Sequence, residues 1–129
     1  MKHFLLSALT GASLLIAGTA LAADLGAEIT NAQTHANLAA QSGTINAVHM
    51  HMHHALNCLV GPGAEGFDDK QMNPCAKVGA GAIPDSTDAG QKTKLEAAKA
   101  TLVQGIAASD LKVAQDAANS AQAAIASAK

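Results

Sequence analysis

The sequence predicts an all-α fold: an antiparallel four-helix bundle of two helical hairpins, joined by a long, disulfide-stapled loop. Three observations carry that expectation. Beyond residue 22 the chain is rich in alanine and has a single aromatic residue, Phe67. Alanine favours helix and close helix packing, whereas strands want β-branched and aromatic side chains. Four stretches place apolar residues at alternating spacings of three and four, the period of a helix with one buried face. Two of the links between these stretches are too short for anything but a tight turn, which makes their helices antiparallel neighbours.

The first stripe is Leu25, Ile29, Ala32, Ala36 and Ala39, and the second is Ile45, Val48, Met52, Leu56 and Leu59. Between them, Ser42-Gly43-Thr44 combines a glycine suited to a helix end with a threonine suited to the next helix start. The alternative, one continuous helix through Gly43, costs only about 1 kcal/mol in propensity. The third stripe is Leu95, Ala98, Leu102 and Ile106, and the fourth is Leu111, Ala114, Ala118, Ala121 and Ile125, with Ser109-Asp110 as the stop and start between them. The hairpins align weakly with one another, Gly43-Thr44-Ile45 on Ser109-Asp110-Leu111 and Ala55 on Ala121, as two similar halves would. Residues 61–87 separate them and hold Gly61-Pro62-Gly63, Asn73-Pro74-Cys75 and Ile83-Pro84-Asp85, too much glycine and proline for a lasting helix. Phe67, Val78 and Ile83 are its apolar anchors, so the loop is expected to form a cap over one end of the bundle.

Lys2 and His3 precede an apolar run over 4–17 that leads to Ala20-Leu21-Ala22, a small-x-small cleavage pattern. Residues 1–22 therefore read as a secretory signal peptide and 23–129 as one domain, periplasmic or secreted. The apolar run falls short of the 20 or so residues that span a bilayer, so no membrane association is expected after cleavage; a retained anchor helix is the alternative. Loss of Lys2 from eight basic residues, against ten acidic ones, leaves a net charge of −3. With no arginine and no cluster of lysines, binding to nucleic acid is not expected. Cys58 and Cys75 leave the reducing cytosol with the chain and are expected to pair, closing a loop worth about 3 kcal/mol. Two free thiolates acting as ligands for Cu(I) are the alternative.

The chemistry-bearing feature is His49-Met50-His51-Met52-His53-His54. One histidine on a helix is ordinarily a solvated side chain. Four interleaved with two methionines point to a bound metal, because imidazole is the commonest neutral ligand and thioether adds softness. On the second helix Met52 falls in the apolar stripe and reads as core. His49 and His53 lie on one shoulder of that stripe; His51, His54 and Cys58 lie on the other. A turn centred on Gly43 brings His35 level with residue 51, so the leading site is His35, His49 and His53, completed by Met50 or His54. His51 with His54 forms a second, looser candidate. No carboxylate lies between residues 35 and 54, which argues against calcium, magnesium and manganese. All-imidazole sites suit copper, zinc and nickel, and the thioethers favour copper. Glu28, two turns before His35, is a candidate to orient a ligand ring.

These features together, the signal peptide, the alanine-rich hairpins turning at Gly43-Thr44 and at Ser109-Asp110 before 111–124, and the histidine-bearing helix beginning at His49, resemble the periplasmic small metal-binding proteins. That resemblance implies a histidine-rich four-helix bundle that sequesters copper and other divalent metals in metal homeostasis. In that family the histidines spread over all four helices. Here the last two helices have none, and the loop from Asn57-Cys58 to Pro74-Cys75 has no counterpart, which favours one defined site over many ions.

Enzymatic activity is not expected: Gly-x-Ser-x-Gly, His-Glu-x-x-His and phosphate-cradling glycine loops are all missing from the sequence. Two other readings compete. A b-type haem bundle would use histidine and methionine ligands but wants bulky apolar walls. A structural or partner-binding helical module would meet another protein through the histidine face.

Overall fold

A computed structural model describes residues 22–129. The segment expected to be the signal peptide, 1–22, lies outside the described residues except for its last. Among the described residues the structure is all helical, with α1 (Leu25–Gln41), α2 (Ile45–Val60), a single turn α3 (Ala82–Asp85), α4 (Ala89–Ala107) and α5 (Leu111–Ala126). None of these helices is long and apolar enough to cross a membrane.

Each long helix begins where a side chain can satisfy a free backbone N–H. Asp24 accepts from Ala27 N, Thr44 from Ala47 N, Asp88 from Gln91 N and Asp110 from Val113 N. Such caps are worth about 1 kcal/mol each and fix where the helix starts. The chain breaks at 42–44, so α1 does not run on through Gly43. The expected glycine cap is not used either: the extended Ser42 ends α1, donating its N–H to Ala39 O and its hydroxyl to Leu38 O. A hydroxyl that can bond back to the last turn removes the need for a left-handed glycine there.

The four stripes meet in one core. Ile29, Ala32, Ala36 and Ala39 of α1 are buried with Val48, Met52, Leu56 and Leu59 of α2, Leu95, Ala98 and Leu102 of α4, and Ala114, Ala118, Ala121 and Ile125 of α5. Leu25, Ile45, Ile106 and Leu111 pack against its margin. Helix α1 packs on α2 and α5, and α4 on α5 and α2. So many alanines bring the helices close, and Gly105 of α4 takes this furthest: a Cβ there would stand 2.9 Å from the Sδ of Met52. Met52 is therefore spent on packing.

The segment between α2 and α4 is pinned at several points. The Cys58–Cys75 disulfide ties it to α2. Fully buried Asn57 donates its amide to the carbonyls of Asp68 and Met72 and accepts from Asp68 N, so one side chain replaces the backbone partners an irregular turn lacks. Phe67 and Val78 pack against the core and Ile83 is buried. Where the loop returns, Gly61 (φ +76°) and Gly81 (φ +119°) touch backbone to backbone; a Cβ on Gly81 would lie 2.6 Å from Gly61 N. Only residues without a side chain fit that crossing.

Candidate metal centre

The hairpin register sets the level of the histidines. Residue 35 of α1 stands beside residue 51 of α2, and the Nδ1 atoms of the two rings approach to 3.2 Å. His54, one turn further along α2, closes the group. Ring centroids lie 5.5 Å apart for His35 and His51, 5.1 Å for His35 and His54, and 5.7 Å for His51 and His54. One ligand nitrogen from each of the three rings lies within 4.8 Å of the other two. The trio contains no carboxylate.

The surroundings hold two of the rings, His35 and His54, in the form that binds a metal. His54 is only 5% exposed, and its Nδ1 is buried with no hydrogen-bond partner. Burial lowers the pKa of His35 to about 4, with the neighbouring charges of His54 and His51 adding to the effect. Burial, then His51 and His53, lowers that of His54. A group whose charged form is penalised by burial and by like charges is neutral at pH 7, and neutral imidazole keeps a lone pair for a cation. An unpartnered, buried nitrogen beside two others costs free energy until something binds there.

The structure joins His35 to His51 and His54, the second candidate pair, and not to His49 and His53 of the leading one. His49 Nε2–H donates to the carbonyl of Ala108 at 2.9 Å, which ties α2 to the link between α4 and α5. His53 Nδ1 faces Asp68 of the loop, 3.6 Å from its Oδ2. The expected level of His35 was right and the expected shoulder of α2 was not. The apolar stripe has two flanks equally rich in histidine, and which flank faces α1 depends on the side of α2 on which α1 packs. That choice belongs to the whole core. Met50 stands 40% exposed one turn before His54, and Met52 is fully buried.

Cys58 is bonded to Cys75, as expected, which removes the alternative of two thiolate ligands. Glu28 does not reach the rings. It is fully buried two turns away, where its Oε1 accepts from Gly81 N at 2.7 Å beside the Asp85 carboxyl. Burial first, then Asp85, raises its pKa to about 7. A buried glutamate two turns from a histidine gave a periodicity signal, but its true partner lies 53 residues away in sequence. The groove lined by Glu65, Glu96, Lys99, Val103 and Gln104 contains no histidine.

Compared with protein families, curated proteins and solved structures, the chain matches none.

Proposed function

We propose that this is an exported metal-binding protein that sequesters copper, with zinc or nickel as lesser ligands, through His35, His51 and His54. The observation that carries the reading is the gathering of three imidazoles from two helices, with one ligand nitrogen of each within 4.8 Å of the others and no carboxylate among them. In this reading the helices form an antiparallel four-helix bundle of two hairpins, which places ligands from facing helices at one level. Export follows from the apolar leader and fits the presence of a disulfide. The resemblance to periplasmic small metal-binding proteins supports the same role in metal homeostasis.

The test is calorimetric titration and thermal unfolding of the processed protein with copper, zinc and nickel. A ligand of the native state at about a hundred times its Kd stabilises by about 2.7 kcal/mol. His51→Ala and His35→Ala are expected to abolish that stabilisation, and His49→Ala to preserve it. Unchanged melting in all three metals would refute the proposal. Equal loss from His49→Ala and His51→Ala would refute the assignment of the ligands.

A further inference from the structure

We infer that His35 and His51 hold each other's Nδ1 in a ring-to-ring hydrogen bond, and that an ion enters the trio by displacing the hydrogen between those two atoms. This rests on the reading of the trio as a metal centre and adds the ligand atoms and the contact that an ion has to open.

The Nδ1 atoms of His35 and His51 stand 3.2 Å apart. Their ring centroids are 5.5 Å apart, about that gap with one ring radius added at each end, so the two Nδ1 atoms face each other along the line joining the rings. Two lone pairs aimed at one another in this way repel. One ring therefore carries its hydrogen on Nδ1 and donates it to the lone pair of the other. The Nε2 atoms sit at the far edges of both rings.

A bound ion stands about 2.0 to 2.1 Å from an imidazole nitrogen. Twice that length is too short to link the Nε2 of either ring to any nitrogen of the other, so Nδ1 is the atom each ring offers. An ion on the line between the Nδ1 atoms is excluded as well, because half of 3.2 Å is shorter than one such bond. It has to sit to one side of that line, and each ring has to turn by about 40° for its lone pair to meet it. Two nitrogens on one tetrahedral ion are about 3.3 Å apart, so the gap itself hardly changes. The movement is confined to side chains. Ala32 and Ala36 around His35, and Met52 and Ala55 beside the histidines of α2, are fully buried and hold both backbones.

The displaced hydrogen stays in the balance. As the ion takes both Nδ1 lone pairs, the ring that carried Nδ1–H gives that proton to water and its Nε2 takes one back. At about pH 8, above the ordinary range of imidazole titration, both rings begin and end neutral and no proton is released overall. His54 has no such bond to break at its own Nδ1, which is buried without a partner. The cost of entry therefore falls on the contact between His35 and His51.

The test is NMR of the processed, disulfide-bonded, nitrogen-15-labelled protein at about pH 8, reading which ring nitrogen of each histidine carries hydrogen. Spectra are taken without metal, then with zinc and, anaerobically, with Cu(I), both of which are diamagnetic. Without metal, one of His35 and His51 is expected to carry its hydrogen on Nδ1, with a scalar coupling between the two Nδ1 nitrogens across the hydrogen bond. An equivalent of ion should remove that coupling, leave hydrogen on Nε2 of both rings and shift both Nδ1 resonances. His49, whose Nε2–H donates to Ala108 O, should keep its tautomer throughout. Hydrogen on Nε2 of both rings, with no coupling, before any metal is added would overturn the closed pair. Ion-induced shifts at Nε2 of His35 and His51 in place of Nδ1 would overturn the ligand atoms and leave the metal centre standing. No shift in any of the three rings with either ion would overturn the metal centre itself.

Discussion

Glu28→Gln is expected to make the protein more stable at neutral and alkaline pH. Glu28 is fully buried, accepts one hydrogen bond from Gly81 N and lies beside Asp85, with Asp24 as a further negative neighbour. Burial is the main reason its pKa rises from 4.5 to about 7. The sign follows from proton counting. Between those two values the unfolded chain has released the proton and the folded chain still holds it, so stability falls as pH rises through that window. Stability from the protonated carboxyl is complete below about pH 4.5 and lost above about pH 7, a difference of about 3 kcal/mol at 1.36 kcal/mol per pKa unit. A glutamine keeps an oxygen for Gly81 N and offers Asp85 an N–H in place of the proton, without the titration. Urea unfolding of both proteins at pH 4.5, 6, 7 and 8 should give no difference at the acid end and a gain for Glu28→Gln approaching about 3 kcal/mol at pH 8. The comparison is needed because His35 and His54 titrate the opposite way. Both folded pKa values lie below 6.5, so their contribution is complete above pH 6.5 and is lost as pH falls below it, through about 4 for His35. Taking the difference between the two proteins cancels that slope. A gain that is the same at every pH, or a loss at pH 8, would refute the assignment of Glu28 as the buried proton.

Three further outcomes are expected. Gly61→Ala and Gly63→Ala impose the same backbone strain, at φ +76° and +80°, but only the first drives a Cβ into the carbonyl of Ala80. Chemical denaturation should show about 1 kcal/mol lost at Gly63 and more than about 3 kcal/mol at Gly61; equal losses would mean the loop is not closed against α2. Replacing both Cys58 and Cys75 by alanine, which opens a link of 17 residues, should cost about 3 kcal/mol, measured by urea unfolding against the oxidised protein. His49→Ala removes the hydrogen bond to Ala108 and should cost about 1 kcal/mol of stability with metal affinity unchanged, which separates its structural part from that of the trio.

Sequence alone determined what depends on neighbours along the chain. A helix repeats every 3.6 residues, so the stripes from Ile29 to Ala39 and from Ala114 to Ile125 could be read one residue at a time, and they are buried as expected. Thr44 and Asp110 announced helix starts because a capping side chain acts only three residues ahead. The pairing of Cys58 with Cys75 followed from there being two cysteines in a chain whose leader reads as a signal peptide, and the level of His35 against residue 51 from the length of the turn. The choice of flank was decided only in the tertiary structure. His49 and His53 on one side of the stripe, His51 and His54 on the other, are equivalent in any local account of α2. Packing the cores of four helices at once put α1 against the second flank and the α4–α5 link against the first. The same holds for Glu28, whose pairing with Gly81 and Asp85 comes from the return of the loop. Contacts between residues distant in sequence are set by the packing of the whole core, and no periodicity within one helix records them.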